Sequence, residues 1–140
     1  MGLYLAVFND GNDGDELDGV EVGAYADFSA FRNAVVKNLE GGAAGSRFPA
    51  LILHSDCDGQ WSSSEAAVLE KELEIISARF RELPPIPLGA DWQKQITKTF
   101  GIQIKNLYDC FFDVDGEPLL ERLIGLTRLS QTKNLPILFQ

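Results

Sequence analysis

The sequence is constrained most tightly at its start. GLYLAVF (2–8) is a short apolar run rich in strand formers, and it runs straight into NDGNDGDELDG (9–19). A run of seven is too short for a core helix but fits a buried strand. The Asn, Asp and Gly that follow are turn formers, so 9–19 is read as a loop or wide hairpin connection. VEVGAY (20–25) then alternates, predicting a second strand antiparallel to the first. The rest of the chain has to cover the apolar side of that hairpin.

Helical periodicity supplies the cover. Asp27 stands where a cap belongs, and Phe28, Phe31, Ala34, Val35 and Leu39 recur at helical spacing until Gly41–Gly42 stop them. GGAAGSRF (41–48) reads as loop and PALILH (49–54) as the third strand. Ser62 with Glu65 forms a capping box preceded by Trp61 as a hydrophobic staple. The helix behind it carries Ala66, Leu69, Leu73, Ile76 and Phe80 on one stripe. Pro84-Pro85-Ile86-Pro87 must be extended. A shorter helix follows over 91–100, with Trp92, Ile96 and Phe100 as its apolar positions. The segment 106–118 fits either a helical turn or a loop. Pro118 opens a helix running to about Lys133, and PILF (136–139) closes the order as a strand. The predicted order is β-β-α-β-α-α-α-β. This is an α+β single domain with a small, mostly antiparallel sheet of about four strands covered by three to four helices.

A chain of 140 residues buries about two-thirds of its unfolded surface, so it needs neither disulfide nor metal to fold. Its 45% apolar and 24% charged residues are those of a soluble domain. No apolar run approaches the ~18 residues of a membrane helix, and the start lacks the basic region of an export signal. The expectation is therefore a cytoplasmic protein whose Cys57 and Cys110 are reduced thiols.

Charge narrows the partner. Twenty-one acidic residues against 12 basic give a net charge of −9. Residues 1–31 hold seven of the acids, Asp10, Asp13, Asp15, Glu16, Asp18, Glu21 and Asp27, and no Lys or Arg. Such a surface repels nucleic acid and anionic membrane and steers a basic partner toward itself. An ordinary acidic soluble protein has the same net charge without using it.

HSDCDGQW (54–61) gathers the chain's one histidine, a cysteine and two aspartates. A zinc site needs about four N or S ligands, and His54, Asp56 and Cys57 come from adjacent positions with no second histidine to join them. The D-x-D-G runs at Asp56–Gly59 and Asp113–Gly116 place Gly too early for an EF-hand, and the 9–18 loop misses that register too, leaving only a weak cation there. A Cys57–His54 nucleophile pair would point two ways at a strand end. Turn chemistry explains the stretch better, since Asp side chains bond nearby amides and Gly supplies a positive φ. A small hydrolase or metal-dependent enzyme centred on His54, Asp56, Cys57 and Asp58 is the alternative reading, and a ligand-sensing scaffold a third. Phe28, Phe31, Phe80, Trp92 and Phe100 fall on helical stripes and read as core. Tyr108, Phe111 and Phe112 beside Asp109, Asp113 and Asp115 could be core or the anchors and charges of a protein interface.

Taken together, MGLYLAVF, GVEVGAYADFSAFRNAV, RFPALILHSDCDGQWS, NLYDCFFDVDGEPLLERL and LPILFQ make the chain similar over nearly its whole length to the immunity protein 70 family. These are immunity proteins of bacterial polymorphic toxin systems. The resemblance implies an α+β protein of the toxin-producing cell's cytoplasm that binds and neutralises a cognate toxin. It implies no catalytic residues and no cofactor. A toxin with a basic, nuclease-type domain would suit the acidic surface. The residues expected to meet it are Asp10, Asp13, Asp15, Glu16 and Asp18, then Asp56 and Asp58, then Tyr108, Asp109, Asp113 and Asp115.

Overall fold

A computed structural model describes residues 2–9, 14–54 and 59–140. The expected hairpin forms from β1 (Gly2–Phe8) and β2 (Glu16–Ala24), which pair antiparallel. β2 starts earlier than 20, so Glu16 and Asp18 belong to a strand rather than to the loop. Leu3, Leu5 and Val7 alternate with Tyr4 and Phe8, and the first set is fully buried in the core. The register shifts between Leu3/Tyr4, where Gly23 takes a φ of 118° that a side chain would strain. A Cβ there would also lie 2.7 Å from the Asp27 carboxylate, so this irregularity requires glycine.

Helix α1 (Tyr25–Leu39) follows directly. Asp27 does not hold the cap position, which falls to Ala24. It sits in the first turn and reaches back to accept the Ala24 N–H at 2.7 Å. Phe31, from the buried stripe of α1, meets Phe28, Phe80 and Phe111 at ring distances of 5.3 to 6.3 Å. Tilted and edge-on contacts of this kind add to the area they bury.

PALILH corrects the prediction. Pro49–Ile52 is a short helix, α2, and not a strand. Pro49 suits a first helical turn, and the carboxylate of Glu72 accepts the N–H groups of Ala50 (3.1 Å) and Leu51 (3.0 Å). The strand expected there is replaced by β3, only Gln60–Trp61, a few residues later. With α2 counted, the α-helices among the described residues number five.

Helix α3 (Ser63–Phe80) carries the predicted capping box: Ser62 Oγ accepts from Glu65 N–H at 3.1 Å and Glu65 accepts from Ser62 N–H at 3.0 Å. α4 (Asp91–Phe100), α5 (Leu119–Lys133) and β4 (Ile137–Phe139) fall where the pattern placed them. Residues 108–110 form one 3-10 turn. α4 departs from its reading as a core helix, because Phe100 is 59% exposed and no residue of α4 is buried.

The sheet order is β2-β1-β4-β3, antiparallel throughout. β4 thus lies inside the sheet, between β1 and β3. α3 and α5 pack on each other more extensively than any other helix pair. Leu5, Leu51, Trp61, Leu73, Leu123 and Ile137 surround one void too small for a water molecule. Six elements meet there in one continuous core.

Candidate functional site

Arg122, on the first turns of α5, joins two of the segments the sequence singled out. Its guanidinium pairs with Asp18 of β2 at 3.1 Å and lies 3.5 Å from Asp113. It also donates to the carbonyl of Gly19 at 2.6 Å. Asp113 is 1% exposed, and its Oδ1 accepts the N–H groups of Asp115 (2.9 Å) and Glu117 (3.0 Å), closing the 113–117 turn. Its Oδ2 has the ion-pair contact with Arg122 and no hydrogen bond. Val114 N–H bonds the Glu21 carbonyl at 3.1 Å, so this turn also covers the outer edge of β2.

The predicted site residues therefore divide by what already holds them. Asp18 and Asp113 neutralise Arg122. Asp109 accepts the Lys105 N–H at 3.0 Å. Tyr108, Phe111 and Phe112 are buried, and Arg81 lies 4.4 Å over the Tyr108 ring. Glu16 accepts a hydrogen bond from the Tyr4 hydroxyl at 2.7 Å on the sheet. Asp15 and Asp115 are exposed, and their side chains are free of partners among the described residues. Asp10, Asp13, Asp56 and Asp58 lie outside the described residues, as does Cys57.

β3, at the described end of the 54–61 stretch, forms the opposite sheet edge from β2 and Asp18. The His54 ring packs 4.8 Å from both Trp61 and Phe139, and its Nε2 is 2.7 Å from the Gln60 carbonyl oxygen. Cys110 is buried, and burial pushes its thiol pKa up, away from the reactive thiolate. Among the described residues, no three His, Cys, Asp or Glu stand close enough to hold a metal ion. Among the same residues, no helix is long and apolar enough to cross a membrane.

A concavity lies beside the Arg122 hub. It is an open groove of about 800 Å3 between α3, α5 and the 113–117 turn. Asp115, Glu117 and Glu121 line it together with Arg81, Arg122 and Arg128. Arg128 is held by Glu70 at 2.8 Å, an interaction that also keeps the Glu70 carboxyl below its usual range.

A family model described as immunity protein 70 matches residues 3–139. The chain belongs to that family. No curated protein and no solved structure matches the chain. In this immunity protein 70 member the ion-paired Arg122 hub stands beside exposed acids that have no partner among the described residues. Sequence reasoning missed Arg122, because its carboxylate on β2 lies 104 positions away. No local pattern on α5 marks an arginine with so distant a partner. It also missed the groove, which exists only once α3, α5 and the turn are assembled.

Proposed function

We propose that this immunity protein 70 member binds a cognate bacterial toxin one to one and neutralises it by occluding its working surface. The family match over nearly the whole chain carries this reading. The net charge of −9 adds the direction of the electrostatics: the partner is basic, as a nuclease-type toxin domain would be. The protein acts in the cytoplasm of the producing cell, without catalysis and without a cofactor. Asp10, Asp13, Asp15 and Glu16 steer the encounter, with Asp56, Asp58 and the 108–115 segment as further contact candidates. Charges of this kind act chiefly on the rate of association.

The test is isothermal titration against the purified product of the adjacent toxin-like gene at low and moderate salt. Tight one-to-one binding that weakens with salt is expected. Absence of binding at both salts would overturn the reading.

A further inference from the structure

The groove between α3, α5 and the 113–117 turn contains a glycine with no role in this chain's own packing. Gly125 sits in the middle of α5, exposed, and a Cβ built on it meets no atom within 4 Å. Its backbone needs no positive φ, so neither turn geometry nor close packing explains it. A glycine inside a helix lowers helix stability relative to alanine. Here it leaves the helix backbone bare on the floor of an open cleft.

The charges around that floor are unequal in what they are free to do. Arg122 is neutralised by Asp18 and Asp113, and Arg128 by Glu70. Arg81 is laid over the Tyr108 ring. Asp115, Glu117 and Glu121 are exposed, and their side chains have no ion pair or hydrogen bond among the described residues. The groove therefore offers uncommitted carboxylates around an unobstructed stretch of backbone. Of the lining arginines, Arg122 and Arg128 are ion-paired, while Arg81 keeps its charge over the Tyr108 ring. Among the described residues, three free carboxylates thus face one free cation.

We infer that this groove is the docking site for a basic segment of the cognate toxin, with a Lys or Arg side chain set between Glu117, Glu121 and Asp115 and its backbone seated over Gly125. The inference rests on the immunity reading and narrows it to one surface. The acidic run at 10–16 then acts on the rate of encounter, while the groove supplies the close fit that slows dissociation.

The experiment pairs two variants with the wild-type protein. Gly125→Gln replaces glycine with a good helix former whose side chain fills the floor. It should raise the thermal midpoint by about 3 °C and weaken toxin binding at least tenfold, chiefly through faster dissociation. Glu117→Gln combined with Glu121→Gln should weaken binding and flatten its salt dependence, while leaving the melting curve close to wild type. Wild-type binding with an unaltered Kd in both variants would overturn the groove and leave the immunity function standing. No binding by the wild type would overturn both. If Gly125→Gln instead breaks up a self-associated form, seen by light scattering, and toxin binding is unchanged, the groove is a contact between copies of this chain and the inference fails.

Discussion

Glu72 and Arg32 grip opposite ends of the four-residue helix α2. Glu72 accepts the N–H groups of Ala50 and Leu51 at its start, and Arg32 donates to the carbonyls of Ile52 and His54 at its end. A carboxylate at a helix N-terminus and a guanidinium at the C-terminus both match the helix dipole. A segment with strand-like composition is thereby held as a helix by two side chains from α1 and α3.

Replacing Glu72 by Ala leaves the buried Leu51 N–H without an acceptor. The expected loss is about 2 kcal/mol, measured by urea unfolding. A loss within about 0.5 kcal/mol, the scale of an ordinary surface substitution, would show that α2 does not depend on this contact.

Acidity separates Glu72 from Glu40. Burial raises the Glu72 pKa, and its two amide donors do not offset this fully. Glu40 feels burial too, but the N–H groups of Arg47, Phe48 and Gly45 outweigh it and the pKa is lowered. A raised native value means that the folded chain holds the proton more tightly. The Glu72 contribution is therefore complete below the unfolded value of about 4.3 and is lost as pH rises through the folded value. Glu40 behaves oppositely, its contribution being present above about 4.3 and lost as pH falls through its lowered folded value. The stability gap between wild type and Glu72→Gln should widen on acidification from pH 7. Denaturant melts across that range would refute the assignment if the gap narrowed.

Arg122→Met should cost about 3 kcal/mol, because it strands the buried Asp113 carboxylate without its cation. Adding Asp113→Asn should recover part of that loss, giving a double-mutant cycle with clear coupling. Strictly additive losses would mean that the two residues do not interact.

The Tyr4 hydroxyl donates to Glu16, which with burial and the nearby acids Asp18 and Glu21 raises its pKa to about 12. Its contribution to stability is complete below the unfolded value of about 10 and is lost as pH rises toward 12. An ultraviolet titration of Glu16→Gln should show one tyrosine ionising earlier than in wild type. An unchanged titration would remove the hydrogen bond as the cause.

Reversing Asp13 and Asp15 to Lys should slow association with the toxin and flatten its salt dependence, with little effect on dissociation. Stopped-flow mixing reads both rates. Unaltered association would take the acidic run out of the encounter.

Local signals were legible in the sequence wherever a residue's role is set by its near neighbours. The capping box at Ser62 and Glu65, the α3 stripe and the initial hairpin all act within a few positions, and the structure has them. PALILH was misread because its decisive partners, Glu72 and Arg32, lie 20 or more positions away. The same distance effect hid the Arg122 hub. Asp18 and Asp113 look like free surface charges when read locally, and only the folded chain puts a guanidinium between them. Gly125 gave no warning either, since a glycine within a helical pattern says nothing of what stands opposite it.

The interior position of β4 sets an order of events in time. The partner of β1 on one side, β2, lies within the next 16 positions, but its other edge, at Leu5 and Ala6, is paired by Phe139 and Leu138. Until those residues emerge, β1 and β3 cannot be joined into one sheet, and the helices lie over a split floor. A ribosome paused before residue 137 would hold a chain with an open strand edge, exposed to wrong pairing. Closure of the sheet is thus tied to the synthesis of β4 and not to that of the hairpin, although the hairpin makes most of the strand pairing.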